Sequence, residues 1–357
     1  MQAVIVAGGA GTRLRPLTYS RPKPMVPLFD KPFLQYQIEL LRRHGIHDII
    51  INVHYLAKGI MDYFGDGKQL GVNIRYSEEQ TAMGTAGAVK KAEGLLSNEP
   101  LLVMNADILT DIDLSAMLTY HQEKQATVTV GLIKVADPTS FGMIVLNDDG
   151  RVQNWLEKPT WDEVVAYTVN AGFYIMDPTV LRYVPVGEAY SFERGLFPLM
   201  LQLKEKFFGL ELRGYWLDIG SPQRYIQAHK DILSERVQVE MSAQRRDGNI
   251  WVADGADIDP SAELRGPLYI GSQVKIRKRA RVMEYAVLGD GVVVDDRSYV
   301  ENSIIGARTT LGEEVRVLQS LIGSDCQIQD QAYINSGAVI ADHSVVARGS
   351  RIGSTEP

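Results

Sequence analysis

The sequence predicts an α/β fold in which a mostly parallel sheet covered by helices is followed by a parallel β-helix. Two patterns support this prediction. As far as about residue 232, strand-like and helix-like segments alternate, whereas from residue 258 onward apolar residues recur every six positions. We therefore assign residues 1–232 to the α/β domain, 233–249 to a connection and 250–357 to the β-helix.

The α/β domain is predicted from short apolar runs that alternate with amphipathic segments. The predicted strands are 3–7, 49–53, 72–76, 101–104, 127–132 and 169–175. Strands that alternate with helices pair mostly in parallel, and ligands bind at the carboxyl ends of such strands. Because residues 8–13 and 105–107 follow two of these ends, we expect both segments to contact a ligand.

Two helices of this domain follow from local signals. Leu34, Ile38 and Leu41 are spaced for one face of a helix, and Gly45 stops the pattern. A second helix is predicted after residue 85, with Thr85 as its N-cap.

The composition is that of a globular protein and excludes several classes of function. The chain is 45% hydrophobic and 23% charged, and its net charge of −7 disfavours nucleic acid or an anionic membrane as a partner. A single cysteine, Cys326, excludes an internal disulfide. The first apolar run stops at Gly8, unlike a signal peptide, and no apolar stretch reaches the roughly 18 residues of a membrane span. We expect a cytoplasmic protein.

A glycine-rich turn directly after the first strand has the composition of a phosphate-binding loop. Glycines let backbone N–H groups approach an anion, a hydroxyl adds a donor, and two cations supply positive charge. The residues concerned are Gly8, Gly9, Gly11, Thr12, Arg13 and Lys23. No Lys-Ser or Lys-Thr follows the glycines, and Leu14 stands where a dinucleotide fingerprint has its third glycine, so the two common phosphate loops are excluded.

The turn resembles the signature of the sugar-nucleotide pyrophosphorylases, GGxGTRLxPLT followed by PKPM, with Pro16 and Pro24 in place. The resemblance extends over about residues 1–230 and implies a Rossmann-like nucleotidyltransferase domain. The family joins a nucleoside triphosphate to a sugar 1-phosphate and releases pyrophosphate. This reaction needs no protein nucleophile, but it needs positioning, cations and carboxylate-held Mg²⁺.

The resemblance also implies two metal-binding aspartates, in motifs of the form N-x-D and W-x-D-I-G. Asp107 and Asp218 occupy these places, and each follows an apolar, strand-like run. A carboxylate at the end of a strand is well placed to hold Mg²⁺. We expect Arg13, Lys23, Asp107, Lys158 and Asp218 to form the catalytic set.

Further segments match the substrate-binding motifs of the family. Glu157 and Lys158 match its EKP motif, in which the ammonium suits the phosphate of the sugar phosphate and the carboxylate accepts sugar hydroxyls. Asn170 and Gly172 resemble the segment that holds the sugar. Gly142 resembles the glycine that lets the backbone approach a sugar hydroxyl.

Gly84 and Thr85 resemble the turn of the family that contacts the base, and Glu79 stands five residues before Gly84. A carboxylate can accept two hydrogen bonds from guanine, whereas uracil and thymine favour an amide partner. We therefore predict a preference for GTP. The alternative is that Glu79 is a solvated loop charge.

Within the family, the chain is most similar to the mannose-1-phosphate guanylyltransferases, which implies GTP and mannose 1-phosphate as substrates. The glucose-1-phosphate uridylyl-, thymidylyl- and adenylyltransferases share most of the motifs and stay open. A non-catalytic regulatory subunit of the same fold is a third possibility, although Arg13, Lys23, Asp107 and Asp218 are all present. The missing third glycine argues against a nicotinamide-dependent oxidoreductase.

The second domain is predicted from its period of six residues, which is interrupted by a step of five at Ile305 and again at Ile322. The apolar anchors are Ile258, Leu264, Ile270, Ile276, Val282, Leu288, Val294, Val300, Ile305, Leu311, Val317, Ile322, Ile328, Ile334, Ile340, Val346 and Ile352. In a β-helix of this kind, each hexad makes one strand and one turn, and three hexads make a coil. The region resembles the left-handed hexapeptide-repeat helix attached to several sugar pyrophosphorylases. Its flat faces and open ends favour a homo-oligomer.

Two reactive residues of the repeat region need separate interpretation. Cys326 occupies the small inward position of its hexad, which predicts a packed thiol. His343 is the one histidine of the region, and hexapeptide acyltransferases use a histidine base. The alternatives are a turn residue and an acyl-transfer site, and we favour the turn.

Overall fold

The computed structural model describes residues 1–353, which fold as two compact units. The sheet unit comprises Met1–Ala10 and Leu34–Trp216. The β-helix unit comprises Gly11–Phe33 and residues 217–353. The glycine-rich turn is therefore divided between the units after Ala10, and its cation-bearing part folds with the C-terminal half of the chain.

The sheet unit is built around nine strands. From one edge, seven of them follow one another in the order Val152–Glu157, Gly142–Leu146, Thr168–Met176, Leu101–Asn105, Gln2–Val6, Asp48–Val53 and Asn73–Glu78. The other two are Val128–Lys134, which pairs with Thr168–Met176, and Phe207–Glu211, which pairs with Val128–Lys134. A short strand, Ile108–Thr110, follows Leu101–Asn105.

Four neighbouring strands of this sheet run parallel, as the sequence predicts. Gln2–Val6 pairs in parallel with Leu101–Asn105 on one side and with Asp48–Val53 on the other. Asn73–Glu78 continues the parallel pairing beyond Asp48–Val53. Thr168–Met176 joins the opposite edge in the antiparallel direction. All six predicted strands are present, with bounds that agree to within two residues.

Three strands of the sheet were missed in the sequence. They are Gly142–Leu146, Val152–Glu157 and Phe207–Glu211. Two of them begin or are interrupted with glycine, and the third has Gln and Asn at its centre, so none presents the continuous apolar run of a buried parallel strand. Gly142–Leu146 and Val152–Glu157 pair with each other, and Phe207–Glu211 is placed by its pairing with the distant strand Val128–Lys134.

Among residues 1–353, six α-helices cover the sheet or follow it in the chain. They are α1 (Phe33–Arg43), α2 (Ala57–Phe64), α3 (Gly84–Lys91), α4 (Leu114–Glu123), α5 (Phe197–Gln202) and α6 (Pro222–Leu233). The predicted stop at Gly45 is confirmed, because α1 ends two residues earlier and Gly45 has a φ of +72°. The prediction of Thr85 as an N-cap is wrong. Helix α3 already begins at Gly84, and the Thr85 hydroxyl bonds elsewhere.

The core of the sheet unit joins the sheet to α3 and α5. Val4, Ile50 and Val103 are fully buried on three adjacent strands and belong to one apolar cluster with Val89 of α3 and Phe197 of α5. Burial of large apolar side chains of this kind contributes about 1.5–3 kcal/mol each. Within residues 1–353, none of the helices has the length and apolar composition needed to cross a bilayer.

The β-helix unit contains three parallel sheets that form the faces of a prism. One face consists of Ile250–Val252, Leu268–Ile270, Val287–Leu288, Ile304–Ile305, Leu321–Ile322 and Val339–Ile340, and Gln244–Arg246 pairs antiparallel at its start. The second face consists of Asp257–Ile258, Lys275–Ile276, Val293–Val294, Thr310–Leu311, Gln327–Ile328 and Val345–Val346. The third consists of Glu263–Leu264, Arg281–Val282, Tyr299–Glu301, Arg316–Leu318, Tyr333–Ile334 and Arg351–Ile352. This architecture is consistent with the left-handed parallel β-helix expected from the sequence.

Every predicted anchor lies in one of these strands, and most are completely buried in a single core. Partners in neighbouring coils are 18 residues apart at Ile270 and Leu288, and 17 apart at Leu288 and Ile305. The shorter coil explains the interrupted period at Ile305. Cys326 is buried in the same core, as predicted. His343 is exposed and has a φ of +60° in a turn, which favours its interpretation as a turn residue.

One face of the prism is covered by the segment Gly11–Phe33. The outward side chains of Val287, Ile304 and Leu321 are buried, whereas the side chains at the same positions of the other two faces are half-buried or exposed. These three residues share a cavity of about 140 Å³ with residues of the covering segment. An ion pair between Arg21 and Asp342, 2.6 Å apart, fixes the segment to the last coils.

His229 of α6 is enclosed where this segment meets the β-helix. Its ring packs edge-on against Phe29 and Tyr225, with ring centroids 4.8 and 4.6 Å away. Its Nδ1 lies 2.9 Å from the carbonyl oxygen of Tyr225, so Nδ1 carries the proton and donates. Burial lowers the pKa of His229 from 6.5 to about 4, and the histidine is therefore neutral at pH 7.

This lowered pKa predicts loss of stability in acid. Between pH 6.5 and about 4, His229 is protonated in the unfolded chain but stays neutral in the folded protein. The free energy of unfolding therefore decreases as the pH falls through this range. In His229→Phe, which keeps an aromatic ring, the free energy of unfolding should decrease less between pH 6.5 and 4, by up to about 3 kcal/mol relative to the wild type. Calorimetry between pH 4 and 7.5 measures it. His343→Gln is the control, since Gln273, Gln319 and Gln331 occupy equivalent turns; an equal effect there would contradict the assignment to His229.

Candidate active site

The carboxyl ends of the four parallel strands meet at one edge of the sheet unit. Val6 is paired with both Asn52 and Asn105, and Val53 is paired with Glu78. The residues that follow these ends are therefore neighbours in space. They are Gly8, His54, Glu79 and Asp107, and three of them are among the predicted site residues.

Gly8 and Glu79 are in close contact at this edge. A Cβ at Gly8 would lie 3.3 Å from Oε1 of Glu79, so the glycine leaves room for the carboxylate. The carboxylate is 5% exposed, and its Oε2 accepts a hydrogen bond of 2.9 Å from the Met83 N–H. Its Oε1 is buried and has no hydrogen-bond partner among residues 1–353. Because Glu79 is buried, the alternative of a solvated loop charge is wrong. Burial also raises the pKa of Glu79.

Asn170 and Gly172 form a bulge in the strand Thr168–Met176. The pairing with Val128–Lys134 shifts between Asn170 and Tyr174, and Gly172 has a φ of +75°. Its N–H donates to Oδ1 of Asn170 at 2.8 Å, and a Cβ on Gly172 would lie 2.9 Å from the amide nitrogen of Asn105. The glycine therefore permits both the bulge and the close approach of the strand that leads to Asp107.

Gly142 and Glu157 face each other across an antiparallel pair. A Cβ at Gly142 would lie 2.8 Å from Oε2 of Glu157, an oxygen that is buried without a hydrogen-bond partner among the described residues. Burial, and next the charge of Glu193, raise the pKa of Glu157, while Lys158 opposes the shift. Lys158 itself is exposed, with a φ of +54°.

The turn at Gly84 and Thr85 is docked on the segment around Tyr190. A Cβ at Gly84 would lie 2.7 Å from the Tyr190 carbonyl oxygen, and Gly84 has a φ of +69°. The Thr85 hydroxyl donates to Glu193 at 2.9 Å and accepts from the Phe192 N–H at 2.9 Å. The hydroxyl hydrogen of Thr85 is thus already donated to Glu193. Thr85 can therefore contact a ligand through its backbone, but its hydroxyl cannot donate to that ligand.

The remaining glycines and cations of the N-terminal turn differ in exposure. Gly9 is exposed in the sheet unit, and no atom lies within 4 Å of the place where its Cβ would be. In the β-helix unit, Gly11 has a φ of +60°, and a Cβ there would lie 2.8 Å from Cβ of Lys23. Thr12 and Arg13 follow in an exposed single turn of 3₁₀ helix. The turn thus leaves Gly9, Thr12 and Arg13 accessible to a ligand.

Cations surround Asp218 within the β-helix unit. Lys23 Nζ lies 3.7 Å from Oδ1 of Asp218, and Arg224 Nη1 lies 3.3 Å from Oδ2. A Cβ at Gly220 would lie 3.1 Å from both Asp218 oxygens and from Nη2 of Arg13. Two predicted catalytic cations and one predicted metal ligand therefore lie together. Three cations near a half-buried carboxylate can also attract a polyphosphate.

Asp107, the second predicted metal ligand, belongs to the sheet unit. It is half-buried directly after the strand Leu101–Asn105. In the part of the chain that the structure describes, no three His, Cys, Asp or Glu side chains converge as a complete metal-binding cluster. Hard carboxylate oxygens from one or two residues, completed by water and substrate phosphates, are the arrangement that Mg²⁺ favours at phosphoryl-transfer sites.

Comparison with known proteins assigns both parts of the chain. Residues 2–235 match the family described as nucleotidyl transferase, and residues 246–354 match the GMPPB C-terminal domain. The chain belongs to the nucleotidyl transferase family. The N-terminal match contains every predicted site residue.

Several relatives within this family are similar over most of the chain. A UTP–glucose-1-phosphate uridylyltransferase of Synechocystis is 33% identical over 96% of this chain and 92% of its own length. A mannose-1-phosphate guanylyltransferase of Mycobacterium tuberculosis is 34% identical over 84% of this chain and 83% of its own. The mannose-1-phosphate guanylyltransferase catalytic subunit beta of Drosophila melanogaster is 33% identical over 97% of this chain and 95% of its own.

A solved structure resembles a large part of the chain. HddC from Yersinia pseudotuberculosis, in a complex with GMP-PN, has a TM-score of 0.55 and 28% identity. The similarity covers 64% of this chain and 97% of HddC. That protein therefore corresponds to about two thirds of the present chain.

Sequence reasoning missed several residues that contact the predicted site residues. Arg224 contacts Asp218 from the first turn of α6, and Glu193 contacts Thr85. Trp216 donates from its indole N–H to the Ala171 carbonyl at 2.8 Å and packs edge-on against Phe141. In the sequence, the W-x-D-I-G motif served only to locate Asp218, and it did not indicate these contacts of Trp216. No local pattern connects Glu193 with Thr85, which is 108 residues away.

The raised pKa of Glu157 predicts that this residue opposes folding at neutral pH. Its charged form is disfavoured in the folded state, so wild-type stability decreases as the pH rises from 4.5 through the folded-state pKa. Glu157→Gln has no carboxyl group to ionise, so its stability should not decrease in this way as the pH rises. We expect its Tm to match the wild type near pH 4 and to exceed it by a few degrees at pH 8. Thermal unfolding across this range provides the measurement.

Glu123→Gln is the matched control for this prediction, because Glu123 is exposed on α4. Its Tm should follow the wild type at every pH. If Glu157→Gln is less stable than the wild type at pH 8, Glu157 is a stabilising ion-pair partner and our interpretation is wrong.

Proposed function

We propose that the protein joins GTP to mannose 1-phosphate and releases GDP-mannose and pyrophosphate. The observation that carries this proposal is the meeting of Gly8, Glu79 and Asp107 at one sheet edge. Gly8 leaves space for a ligand, Glu79 is a buried acceptor for a nucleobase, and Asp107 is a carboxylate that can bind Mg²⁺. Nucleotidyl transfer uses groups of these kinds. The relatives named for this reaction add support.

The reaction needs no covalent intermediate on the protein. An oxygen of the sugar phosphate attacks the α-phosphorus of the nucleotide, and the bond from that phosphorus to the bridging oxygen of the leaving group breaks. Pyrophosphate leaves with the electron pair. Gly9, Gly11 and Thr12 would offer backbone or hydroxyl donors to the triphosphate, and Arg13 and Lys23 would neutralise its charge.

Mg²⁺ is the metal that the proposed chemistry requires, and Asp107 and Asp218 would hold it. When bound, it neutralises the charge that develops on the phosphates. Lys23, Arg13 and Arg224 now surround Asp218, and they would exchange part of this contact for contact with phosphate oxygens. Lys158, which is exposed, would receive the phosphate of the sugar phosphate.

The sugar would bind between the bulge and the Gly142 strand. Glu157 has one buried oxygen without a hydrogen-bond partner among residues 1–353, which suits a sugar hydroxyl as donor. Asn170 keeps one amide hydrogen beyond the contact it already makes, and Gly172 exposes the backbone by its bulge. Gly142 leaves the space that Glu157 occupies.

Guanine would be bound at Glu79 and the turn of Gly84 and Thr85. Oε1 of Glu79 has no hydrogen-bond partner among residues 1–353, and Oε2 has a second lone pair beyond its bond from Met83. The carboxylate can therefore accept both N1–H and N2–H of guanine, whereas uracil offers a single N–H. Thr85 would contribute its backbone alone. The uridylyltransferase among the relatives makes UTP and glucose 1-phosphate the principal competing substrates.

A substrate matrix tests the reaction itself. GTP, UTP, dTTP, ATP and CTP are each combined with mannose 1-phosphate and glucose 1-phosphate, with Mg²⁺, and pyrophosphate release is measured. We expect the highest kcat/KM for GTP with mannose 1-phosphate. Asp107→Asn should lower turnover about 100-fold or more by weakening metal binding. The control is Asp62→Asn, an exposed residue of α2. Turnover near the wild-type value in Asp107→Asn would remove Asp107 from the metal site.

Base selectivity tests the role of Glu79. In Glu79→Gln an amide replaces the acceptor for guanine, so the preference for GTP over UTP should fall about tenfold or more. The measurement is the ratio of kcat/KM values for the two nucleotides. Glu78→Gln, at the exposed neighbouring position, is the control. An unchanged ratio in Glu79→Gln would assign base recognition to other residues.

We also infer self-association and a reducing, cytoplasmic setting. Within residues 1–353, the strands of the last coil pair on one side only, and such open edges favour assembly with further copies. Cys326, as the one cysteine of the chain, is compatible with a compartment in which disulfides are rare. Acyl transfer at His343 is not favoured, because its place in an exposed turn needs no functional explanation.

A further inference from the structure

Glu193 accepts hydrogen bonds from residues that belong to two different parts of the proposed site. It lies in a π-helical turn, Phe192–Leu196, and is partly buried. Its Oε2 accepts from the hydroxyls of Thr85 at 2.9 Å and Ser191 at 2.6 Å. Its Oε1 accepts from the hydroxyl of Tyr174 at 3.2 Å. The proposed mechanism assigns it no role.

On the nucleotide side, the Glu193 segment holds the turn that would contact the base. The Ala86 and Gly87 N–H groups both donate to the Tyr190 carbonyl at 3.0 Å, and the Tyr190 N–H donates back to Met83 at 2.8 Å. Met83 in turn donates to Glu79. Movement of the Glu193 segment would therefore move the turn and the carboxylate proposed to bind guanine.

On the sugar side, Tyr174 connects Glu193 with the bulge at Asn170. Its hydroxyl accepts from the amide of Asn170 at 2.7 Å while it donates to Glu193. The Asn170 oxygen accepts from the Gly172 N–H. These bonds fix the orientation of the Asn170 amide. Tyr174 is completely buried, so its hydroxyl has no access to water as a substitute acceptor.

We propose that Glu193 is a positioning residue that couples the nucleotide side of the site to the sugar side. One oxygen holds Thr85 and the other holds Tyr174, so each side is ordered by the same carboxylate. The inference rests on the proposed function, because it assigns the two sides to the two substrates. A carboxylate is needed because it has two acceptor oxygens, and a glutamine has one.

Kinetics of three variants test this coupling. Tyr174→Phe removes one oxygen on the sugar side, and Thr85→Val removes one hydroxyl on the nucleotide side. Because the carboxylate is shared, Tyr174→Phe should raise the KM for the nucleotide, and Thr85→Val should raise the KM for the sugar phosphate, each about three- to tenfold. In a Glu193→Gln background, which has already lost the link, both cross-effects should disappear.

The pH profile gives a second measurement that a purely structural role would not change. Glu193 helps to raise the pKa of Glu157, after burial, while Lys158 and Arg194 lower it. Tyr174 interacts with both carboxylates. Removal of the Glu193 charge should therefore shift the acidic limb of kcat/KM for the sugar phosphate to lower pH.

Glu205→Gln is the matched control. Glu205 also accepts from a tyrosine hydroxyl, that of Tyr183 at 2.6 Å, and from Arg182 at 3.4 Å, but it contacts neither side of the proposed site. Its variant should show neither cross-effects nor a shifted acidic limb. If Glu193→Gln fails to fold, Tyr174→Phe alone still tests the proposal through the KM for the nucleotide.

The outcomes separate this inference from the proposed function. An active wild type in which each variant alters only the KM of its own substrate, or in which the double variants are additive, would overturn the coupling and leave the reaction standing. A wild type that releases no pyrophosphate with any substrate pair would overturn the proposed function. Cross-effects of similar size in Glu205→Gln would show a general loss of rigidity and would also overturn the coupling.

Discussion

The parallel pairing of four strands is the constraint on which the candidate site depends. Gln2–Val6 is hydrogen-bonded on both sides, so the register of its neighbours is fixed to within a residue. Because parallel strands all end in the same direction, the residues after them are delivered to one edge. Gly8, Glu79 and Asp107 owe their proximity to this register. A slip by one residue would reverse the faces of an entire strand and disperse the group.

A different constraint shapes the β-helix unit. Each coil must stack on the next at the spacing of backbone hydrogen bonds, which leaves little room at the corners. A Cβ at Gly306 would lie 2.5 Å from the backbone of Gly323 in the next coil, so the corner requires glycine. Turn residues such as Gln273 and His343 adopt a positive φ to reverse the chain. Burial of most of the anchors in one apolar core offsets the conformational cost of these turns.

The candidate site contains two buried carboxylates, and their burial is unfavourable for folding. Burial raises the pKa of both Glu79 and Glu157, and each has an oxygen without a partner among residues 1–353. Unpaired buried acceptors are costly, and natural proteins retain them where a ligand supplies the missing donor. Glu79 and Glu157 therefore lower the stability of the fold at the two positions proposed to recognise the base and the sugar.

The sequence alone determined the main elements, because their signals are local. The six-residue period located every anchor of the β-helix, and six strands of the sheet were correct to within two residues. The glycines and cations of the N-terminal turn were found because their spacing is itself the motif. The sequence did not reveal the covered face of the prism, because Val293 and Val345 of another face also precede anchors and are not buried.

Only the tertiary structure decided which of these elements meet. Thr85 looked like a cap because a threonine before an apolar run usually is one, yet its hydroxyl is bound by a glutamate 108 residues away. The enclosure of Glu79, the contact of Arg224 with Asp218 and the covering of the β-helix by Gly11–Phe33 are decided in the same way. Each depends on contacts between residues that are distant in sequence, and burial, pKa and hydrogen-bond partners are properties of those contacts rather than of the local chain.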